Sequence, residues 1–595
     1  MLVPWPTPRF VIGGLRAGVA VILATLPALL PGDLAAQAAD CLVILHNNDG
    51  ESQLLNAGRG LEDFGGAARF VTLVEQQRAQ AAGEGCAVLT LSSGDNFLPG
   101  PEFSASLEKG VPFYDSIVIS AIDYDALAIG NHEFDFGPDV LADLIEGTEN
   151  GVPFLSANLD VSAEPGLQAL LDEGRIAKRL VVDTAIGPVG IIGATTDRLS
   201  FISSPRGVRV GEVRPAVQAE IDALEAEGID QIVLISHLQS VEEDTLLLKS
   251  LSGIDVAIAG GGDELLANPD DLLVPEEDQE AYGPYPIMAE DADGARVPVV
   301  TTAGEYKYLG RLNVRFDQGK VVEAEGGPIR VAGGDQTDAV TPDPEIEQLV
   351  AAPVRAFVDE LAKETLGTSE VALEGRRDPG VRTGETNLGD LMADSLLFEA
   401  KRLAAGFGAA APDIAFQNGG GIRNNSLIPA GAITTLDTFD IAPFSNFVAV
   451  VEEVAPEHLK EIMENAVSQV EQADGRFAQI AGFTMAYDLE GAAQVLNEDG
   501  SVQTPGSRVK ELRLADGTLI VQDGAVVDGT PALRIATIDF LARGGDQYPF
   551  RGKAFTTLGV SYQQALANYI EDGLGGVISA AGYPDGGAGR IRAAP

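Results

Sequence analysis

From about residue 40 to residue 334, short apolar runs rich in β-branched side chains alternate with longer stretches of helical pattern. The runs predict strands over residues 41–45, 87–91, 126–129, 189–193, 231–236 and 256–259. Several run directly into polar residues: Asn48-Asp49, Ser93-Gly94-Asp95, Asn131-His132, His237 and Gly262-Asp263. Layered α/β folds place their sites beyond the carboxyl ends of such strands. Residues 264–298 break the alternation with a loop rich in Pro, Asp and Glu, read as a solvated insertion or as a lid. A helix-like stretch, 341–366, leads into a second half with its own apolar segments and Gly-rich turns. The pattern therefore divides the chain into a first α/β domain (39–335), a linker helix (336–366) and a second, α+β domain (367–595). No short-period repeat or coiled coil interrupts it.

The first 38 residues follow another rule. Arg9 and Arg16 precede an apolar run at 17–30, and Ala36-Gln37-Ala38 offers a small-residue cleavage site. That is the layout of a secretory signal peptide, and the run is short for a membrane span. The expected location is periplasmic or secreted, with no membrane attachment once the signal is removed. A lipid anchor at Cys41 competes, but Asp40 stands where a small residue is expected. Cys41 and Cys86 each precede an apolar run. If those runs are neighbouring strands, an exported chain can join the two as a disulfide; two inert buried thiols are the alternative.

At 595 residues the chain exceeds one ordinary core, and 45% apolar with 22% charged residues is a globular composition. Its net charge of −50 repels nucleic-acid backbones and anionic membranes, which argues against a polynucleotide partner. The same acidity suits solubility in a salty compartment, where screening tolerates it. Nothing in the pattern fixes an oligomeric state.

Asp49, Asp95, Asn131 and His237 each follow a strand. Oxygen and imidazole ligands delivered to one sheet edge are what a dinuclear hydrolytic site needs, although a single Asp at such a position is more often a turn former. The run Gly130-Asn131-His132-Glu133-Phe134-Asp135, with Ser93-Gly94-Asp95 and Ser236-His237, resembles the calcineurin-like metallophosphoesterases. Together with the second-half motifs below, it is similar to the 5′-nucleotidase family in particular, over nearly all of the chain beyond the signal. The resemblance implies a four-layer metallophosphoesterase-type β-sandwich flanked by helices, followed by the α+β domain, and two divalent metal ions. It makes Asp95 the bridging ligand, gives Asp49 to the first metal, and gives Asn131 and His237 to the second. His132 and Asp135 become a catalytic dyad, His132 stabilising charge on the phosphoryl group or leaving oxygen and Asp135 orienting the ring. His46 and His458 match no ligand position and read as packing or surface residues.

The chain departs from the family pattern at three positions. Where the family carries histidines there are Glu51 and Gly261, and where its last metal loop has His or Gln there is Asp263. The resemblance places Glu51 and Asp263 at the first metal, which would then meet oxygen donors alone. The second metal would lose one imidazole, whose place Glu264 is a candidate to take. Carboxylates favour Mn, Mg, Ca or Fe over Zn. Decay of a dead site predicts arbitrary replacements, whereas retuning predicts groups that still bind metal. Two of the three replacements are carboxylates, which favours retuning.

In the second half, Arg376, Arg377 and Arg382 stand ahead of a predicted helix, and Arg423 follows the turn Asn418-Gly419-Gly420-Gly421-Ile422. Guanidiniums suit phosphate or carboxylate recognition; taken singly, each reads as a surface salt bridge. The resemblance assigns Arg377, Arg382 and Arg423 to substrate. It makes Phe444 and Phe540 a sandwich for a nucleobase, with Asn446 and Asp546 meeting polar edges of the base or ribose. Arg377 to Arg382 is one residue longer than the family spacing. The implied function is metal-dependent hydrolysis of phosphate monoesters, nucleoside 5′-monophosphates first, by a metal-activated water. Alternatives on the same scaffold are a broader phosphatase, a cyclic-nucleotide phosphodiesterase and a nucleotide-sugar hydrolase. A nucleotide-binding protein without turnover is the rival from another class.

Overall fold

The computed structural model describes residues 41–58, 60–275, 281–444, 446–497 and 500–593. The export signal expected over residues 1–38 lies outside them. Among the described residues no helix is long and apolar enough to cross a membrane.

Five strands carry the site: β1 (Cys41–Asn47), β2 (Ala87–Ser92), β3 (Ala126–Ala128), β4 (Gln231–His237) and β5 (Val256–Gly260). A seven-stranded sheet runs in the order Lys320–Arg330, Tyr308–Asp317, β1, β2, β3, Phe154–Leu155, Ile176–Ala177. A six-stranded sheet runs Ile287–Glu290, Arg296–Val300, β5, β4, Gly187–Thr195, Arg179–Thr184. β1, β2 and β3 are parallel, with Asn47 beside Ser92 and Ser92 beside Leu127, so their carboxyl ends open at one edge. In the second sheet β4 and β5 are parallel, with His237 beside Gly260.

The two sheets face each other. Alternate residues of β1 split between two cores, as a period of two requires. Leu42 and Ile44 point inward with Leu89, Leu91, Val233, Ile235, Val256 and Ile258. Val43 and Leu45 point outward onto Phe70 and Val74 of the helix Ala67–Glu84. On the far side, Leu234 and Ala257 meet Val217, Ile221 and Leu224 of the helix Val213–Ala226. The first half is thus four layers, helix–sheet–sheet–helix, and strands covered on both faces explain the near-continuous apolar runs. Cys41 and Cys86 are joined, with Cα atoms 5.0 Å apart. The parallel pairing of Leu42 with Ala87 puts them side by side.

Two segments differ from what the pattern predicts. The described part of 264–298 is neither lid nor solvated insertion. Leu266 bridges Gly283, Leu266, Val274 and Tyr285 are buried, and the segment ends in the hairpin that edges the second sheet. Its strands escape a pattern reading because acidic loop residues surround them. The helix expected over 341–366 ends at Leu361, and Thr365–Ser369 is a strand. Its Ile346, Val350 and Val354 pack into the same core as Phe70.

The second half has one large core around the helix Asn387–Leu403, capped by the Thr386 hydroxyl, which accepts from Gly389 N at 2.9 Å. A five-stranded sheet (Ala478–Ala481, Ile414–Asn418, Leu533–Ile538, Phe447–Val454, Phe555–Ser561) supports the loops that carry the candidate substrate residues. A second sheet of five strands, centred on Val509–Leu514, packs beside it.

Candidate active site

The loops after β1, β2 and β5 turn so sharply that four candidate ligands adopt left-handed backbone angles. Asp49 and Glu51 have φ 51°, Asp95 has 53° and Asp263 has 56°. Each such residue costs of order 1–3 kcal/mol and persists only where the surroundings over-determine it. Two buried side chains do so. Asn48 Oδ1 accepts from Thr302 N at 3.0 Å and from the Thr301 and Thr302 hydroxyls, while its Nδ2 donates to Thr302 O and to Asp49. The Glu133 carboxylate accepts from Gly130 N (2.8 Å), Asp95 N (3.0 Å) and Asn96 N (2.8 Å), tying the β2 loop to the β3 loop.

These loops bring Asp49, Asp95 and His237 together with ligand atoms within 4.8 Å of one another, and likewise Asp49, Glu51 and Asp263. Asp49 is common to both groups, and Asp263 is exposed. Burial, reinforced by Asp95 and Asp263 against the relief from His237, raises the Asp49 carboxyl to about 7. Burial and then Asp263 push Glu51 well above its ordinary value. Crowded carboxylates of this kind are a mutually repelling charge cluster that a cation relieves. Asp95 is the exception. Burial works against its ionisation, but His237 and His132 outweigh it and hold the carboxyl at about 2.

His237 is fully buried and its Nδ1 donates to Ser93 O at 2.7 Å, which leaves Nε2 facing Asp95 Oδ2 at 2.9 Å and Asn131 Oδ1 at 3.1 Å. A histidine fixed in this way through its other nitrogen is preset as a metal ligand. The donor set, mostly oxygen with one imidazole, fits hard divalent cations. Glu264 does not join either group. It accepts from Val241 N at 3.2 Å, over the start of the helix Val241–Leu248.

His132 stands beside this cluster, with Nδ1 bonded to Asp135 Oδ2 at 2.6 Å and Nε2 3.9 Å from Asp95 Oδ2. Asp135 is itself held by the Ser203 hydroxyl at 2.8 Å. Burial pulls the imidazole pKa down, but Asp135, Asp95 and Glu51 outweigh it and keep the ring protonated well above its ordinary value.

His132 and Asp135 also line a cleft of about 400 Å³ whose other wall comes from the second half: Arg382, Arg423, Phe444, Asn446, Phe540 and Asp546. The Arg423 guanidinium lies 5.2 Å from the centre of the Phe444 ring. Phe540 lies flat against Gly545, where a Cβ would stand 2.4 Å from the ring. Asp546 accepts from Asn418 Nδ2 at 2.6 Å. Arg382 Nε is buried without a hydrogen-bond partner. Burial and then the mutual repulsion of Arg377, Arg382 and Arg423 lower the pKa of Arg377 and Arg382. Arg377 is not part of the cleft wall, yet it stands close enough to press on both other arginines. Arg376 instead pairs with Glu374, the salt bridge that the composition suggests for a lone arginine.

The family model described as 5′-nucleotidase, C-terminal domain, matches residues 365–552. The 5′-nucleotidase of Bos taurus is 30% identical over 528 residues, covering 85% of this chain and 84% of that protein. The chain belongs to the 5′-nucleotidase family. A solved structure of a 5′-nucleotidase precursor from Thermus thermophilus is 30% identical, with a TM-score of 0.69 over 93% of this chain and 99% of that one. The trifunctional nucleotide phosphoesterase protein YfkN of Bacillus subtilis is 28% identical over 85% of this chain, which spans only 32% of that longer protein.

Within this 5′-nucleotidase family member, sequence reasoning passed over several residues of the site. Asn48 and Glu133 sit inside the quoted motifs, and a polar residue bracketed by apolar strand and ligand was the available signal. Ile202, at the end of a short helix, and Gln239 and Asp474, in loops, carry no motif of their own, and only the fold brings them to the cleft and sets Ser203 against Asp135.

Proposed function

We propose that this protein is a metal-dependent phosphomonoesterase of nucleoside 5′-monophosphates. The observation that carries this reading is the single cleft in which the His132–Asp135 pair faces Arg382, Arg423, Phe444 and Phe540. A hydrolytic apparatus and a base clamp share one space of nucleotide size.

Asp49, Glu51, Asp95 and Asp263 with Asn131 and His237 would hold two hard divalent ions. Such ions supply Lewis-acid charge at the phosphoryl oxygens and lower the pKa of a water to make it a nucleophile. The flat rings of Phe444 and Phe540 take the base by stacking. Asn446 and Asp546 meet its polar edge or the ribose. Arg382 and Arg423, crowded and short of partners, take an anionic group. His132, kept protonated and oriented by Asp135, neutralises charge on the phosphoryl group or gives its proton to the departing ribose oxygen as the P–O bond breaks. In this reading residues 39–335 form the catalytic domain, 336–366 the linker and 367–595 the substrate domain. The Cys41–Cys86 disulfide supports export to an oxidising compartment, periplasmic or outside the cell.

Phosphate release from adenosine 5′-monophosphate should be compared with release from an aryl phosphate, a cyclic nucleotide and a nucleotide sugar. The nucleoside monophosphate is expected to give the highest kcat/KM. Equal turnover of the aryl phosphate would point to a broader phosphatase in which the base clamp is idle.

A further inference from the structure

Beyond β4, two residues after His237, the chain carries a carboxamide in an unusual position. Gln239 has φ 88°, a left-handed angle that residues other than glycine seldom adopt. This conformation aims its side chain into the cleft, where its Nε2 stands 2.5 Å from Asn131 Oδ1. Asn131 Oδ1 is in turn 3.1 Å from His237 Nε2, which is 2.9 Å from Asp95 Oδ2. Four polar heads from the ends of three strands, β2, β3 and β4, therefore converge on one point.

Gly261, where the family carries a histidine, closes the same space. A Cβ added there would stand 2.7 Å from Gln239 Nε2 and 2.7 Å from His237 Nε2. A side chain at 261 would force the Gln239 and His237 heads to shift, and an imidazole most of all. Glycine at 261 is thus the counterpart of glutamine at 239, in keeping with a single exchange of one ligand for another. Half a turn about the last side-chain bond puts the Gln239 amide oxygen where its nitrogen now lies.

We propose that Gln239 is the fourth protein ligand of the second metal, its amide oxygen taking the place left by the absent histidine beside Asp95, Asn131 and His237. This rests on the two-metal reading given above. It replaces a lost imidazole with an oxygen donor at the second site and accounts for a positive φ that turns the Gln239 side chain toward Asn131.

The test is metal binding by the full chain, read by mass-spectrometric metal content and calorimetric titration with Mn²⁺. The wild type should hold two ions. Gln239→Leu should hold one firmly and the other at least about tenfold more weakly, the scale for perturbing a metal's supporting groups. Gln239→Glu, which keeps an oxygen donor and cannot donate to Asn131, should still hold two. Gln239→Ser, whose hydroxyl is too short to reach the ion, should weaken the second ion as Gln239→Leu does. It serves as the independent variant if Gln239→Leu fails to fold. Two ions bound with unchanged affinity by Gln239→Leu would overturn the assignment. Equal loss in the Leu and Glu variants would show that Gln239 acts only by holding Asn131, and would also overturn it. A wild type that binds fewer than two ions would bring down the two-metal reading, and this proposal with it.

Discussion

Truncating Phe444 to alanine separates base recognition from chemistry. The ring forms one face of the cleft and supports the Arg423 guanidinium at 5.2 Å. Loss of base stacking costs roughly 1–3 kcal/mol, or about 5- to 150-fold in affinity. The cation–π contact is worth about 0.5–1 kcal/mol at a site of this exposure, but it exists before ligand arrives. Its removal therefore acts on Arg423 placement more than on binding directly. Phe444→Leu, which keeps apolar bulk without a π face, should recover only a small part of the loss. The assay is calorimetric titration of chelated protein with adenosine 5′-monophosphate, so that no turnover intrudes, below the unfolding midpoint of every variant. With metal restored, KM should rise for the nucleotide while kcat/KM for an aryl phosphate stays within about twofold of wild type. Nucleotide affinity within twofold of wild type in Phe444→Ala would refute the clamp.

Other outcomes follow from separate parts of the molecule. The Cys41–Cys86 bond closes a separation of 45 residues, so Cys41→Ser with Cys86→Ser should lose about 4 kcal/mol in the chain-entropy estimate; thermal or denaturant unfolding reads it, and titration of two free thiols in unreduced wild type would remove its basis. Burial raises Glu102 from 4.5 to about 8 against the relief from the Leu55 and Leu54 amides it accepts. The folded state then binds the proton more tightly than the unfolded one, so this group's contribution to stability falls as pH rises from 4.5 to about 8. Glu102→Gln should flatten that fall in denaturant midpoints measured across the same window, and an unchanged slope would count against it. Glu51→His should shift metal preference toward Zn²⁺, measured by competition between Zn²⁺ and Mn²⁺, since it replaces an oxygen donor with an imidazole; an unchanged preference would place Glu51 outside the metal's shell.

The strands β1 to β5 were legible because strands buried on both faces must read as apolar runs, while their stacking in four layers came from the family resemblance. The hairpin Tyr308–Asp317 with Lys320–Arg330 was not. Its strands alternate apolar with charged residues at a sheet edge, and no single run stands out. Ligand-type residues at strand ends declared themselves by chemistry and position. The groups that hold them did not, because Asn48 is fixed by Thr301 and Thr302 some 250 positions away. Glu133 looks like a further acid in its motif, yet it serves three backbone amides. His46, fully buried with Nε2 2.7 Å from the Tyr285 hydroxyl, is packing, as its lack of a motif suggested. Gln239 was hidden for a different reason: its meaning depends on Gly261, and only the fold shows that the two compete for one space.

Metal removal tests the central claim most directly. Protein stripped by exhaustive chelation and assayed for phosphate release from adenosine 5′-monophosphate should be inactive, since the ions hold the phosphoryl group and activate water. Activity should return on adding about two equivalents of Mn²⁺ or Mg²⁺ per chain. Undiminished release from fully stripped protein would contradict the claim, and so would tight nucleotide binding without turnover once both ions are bound.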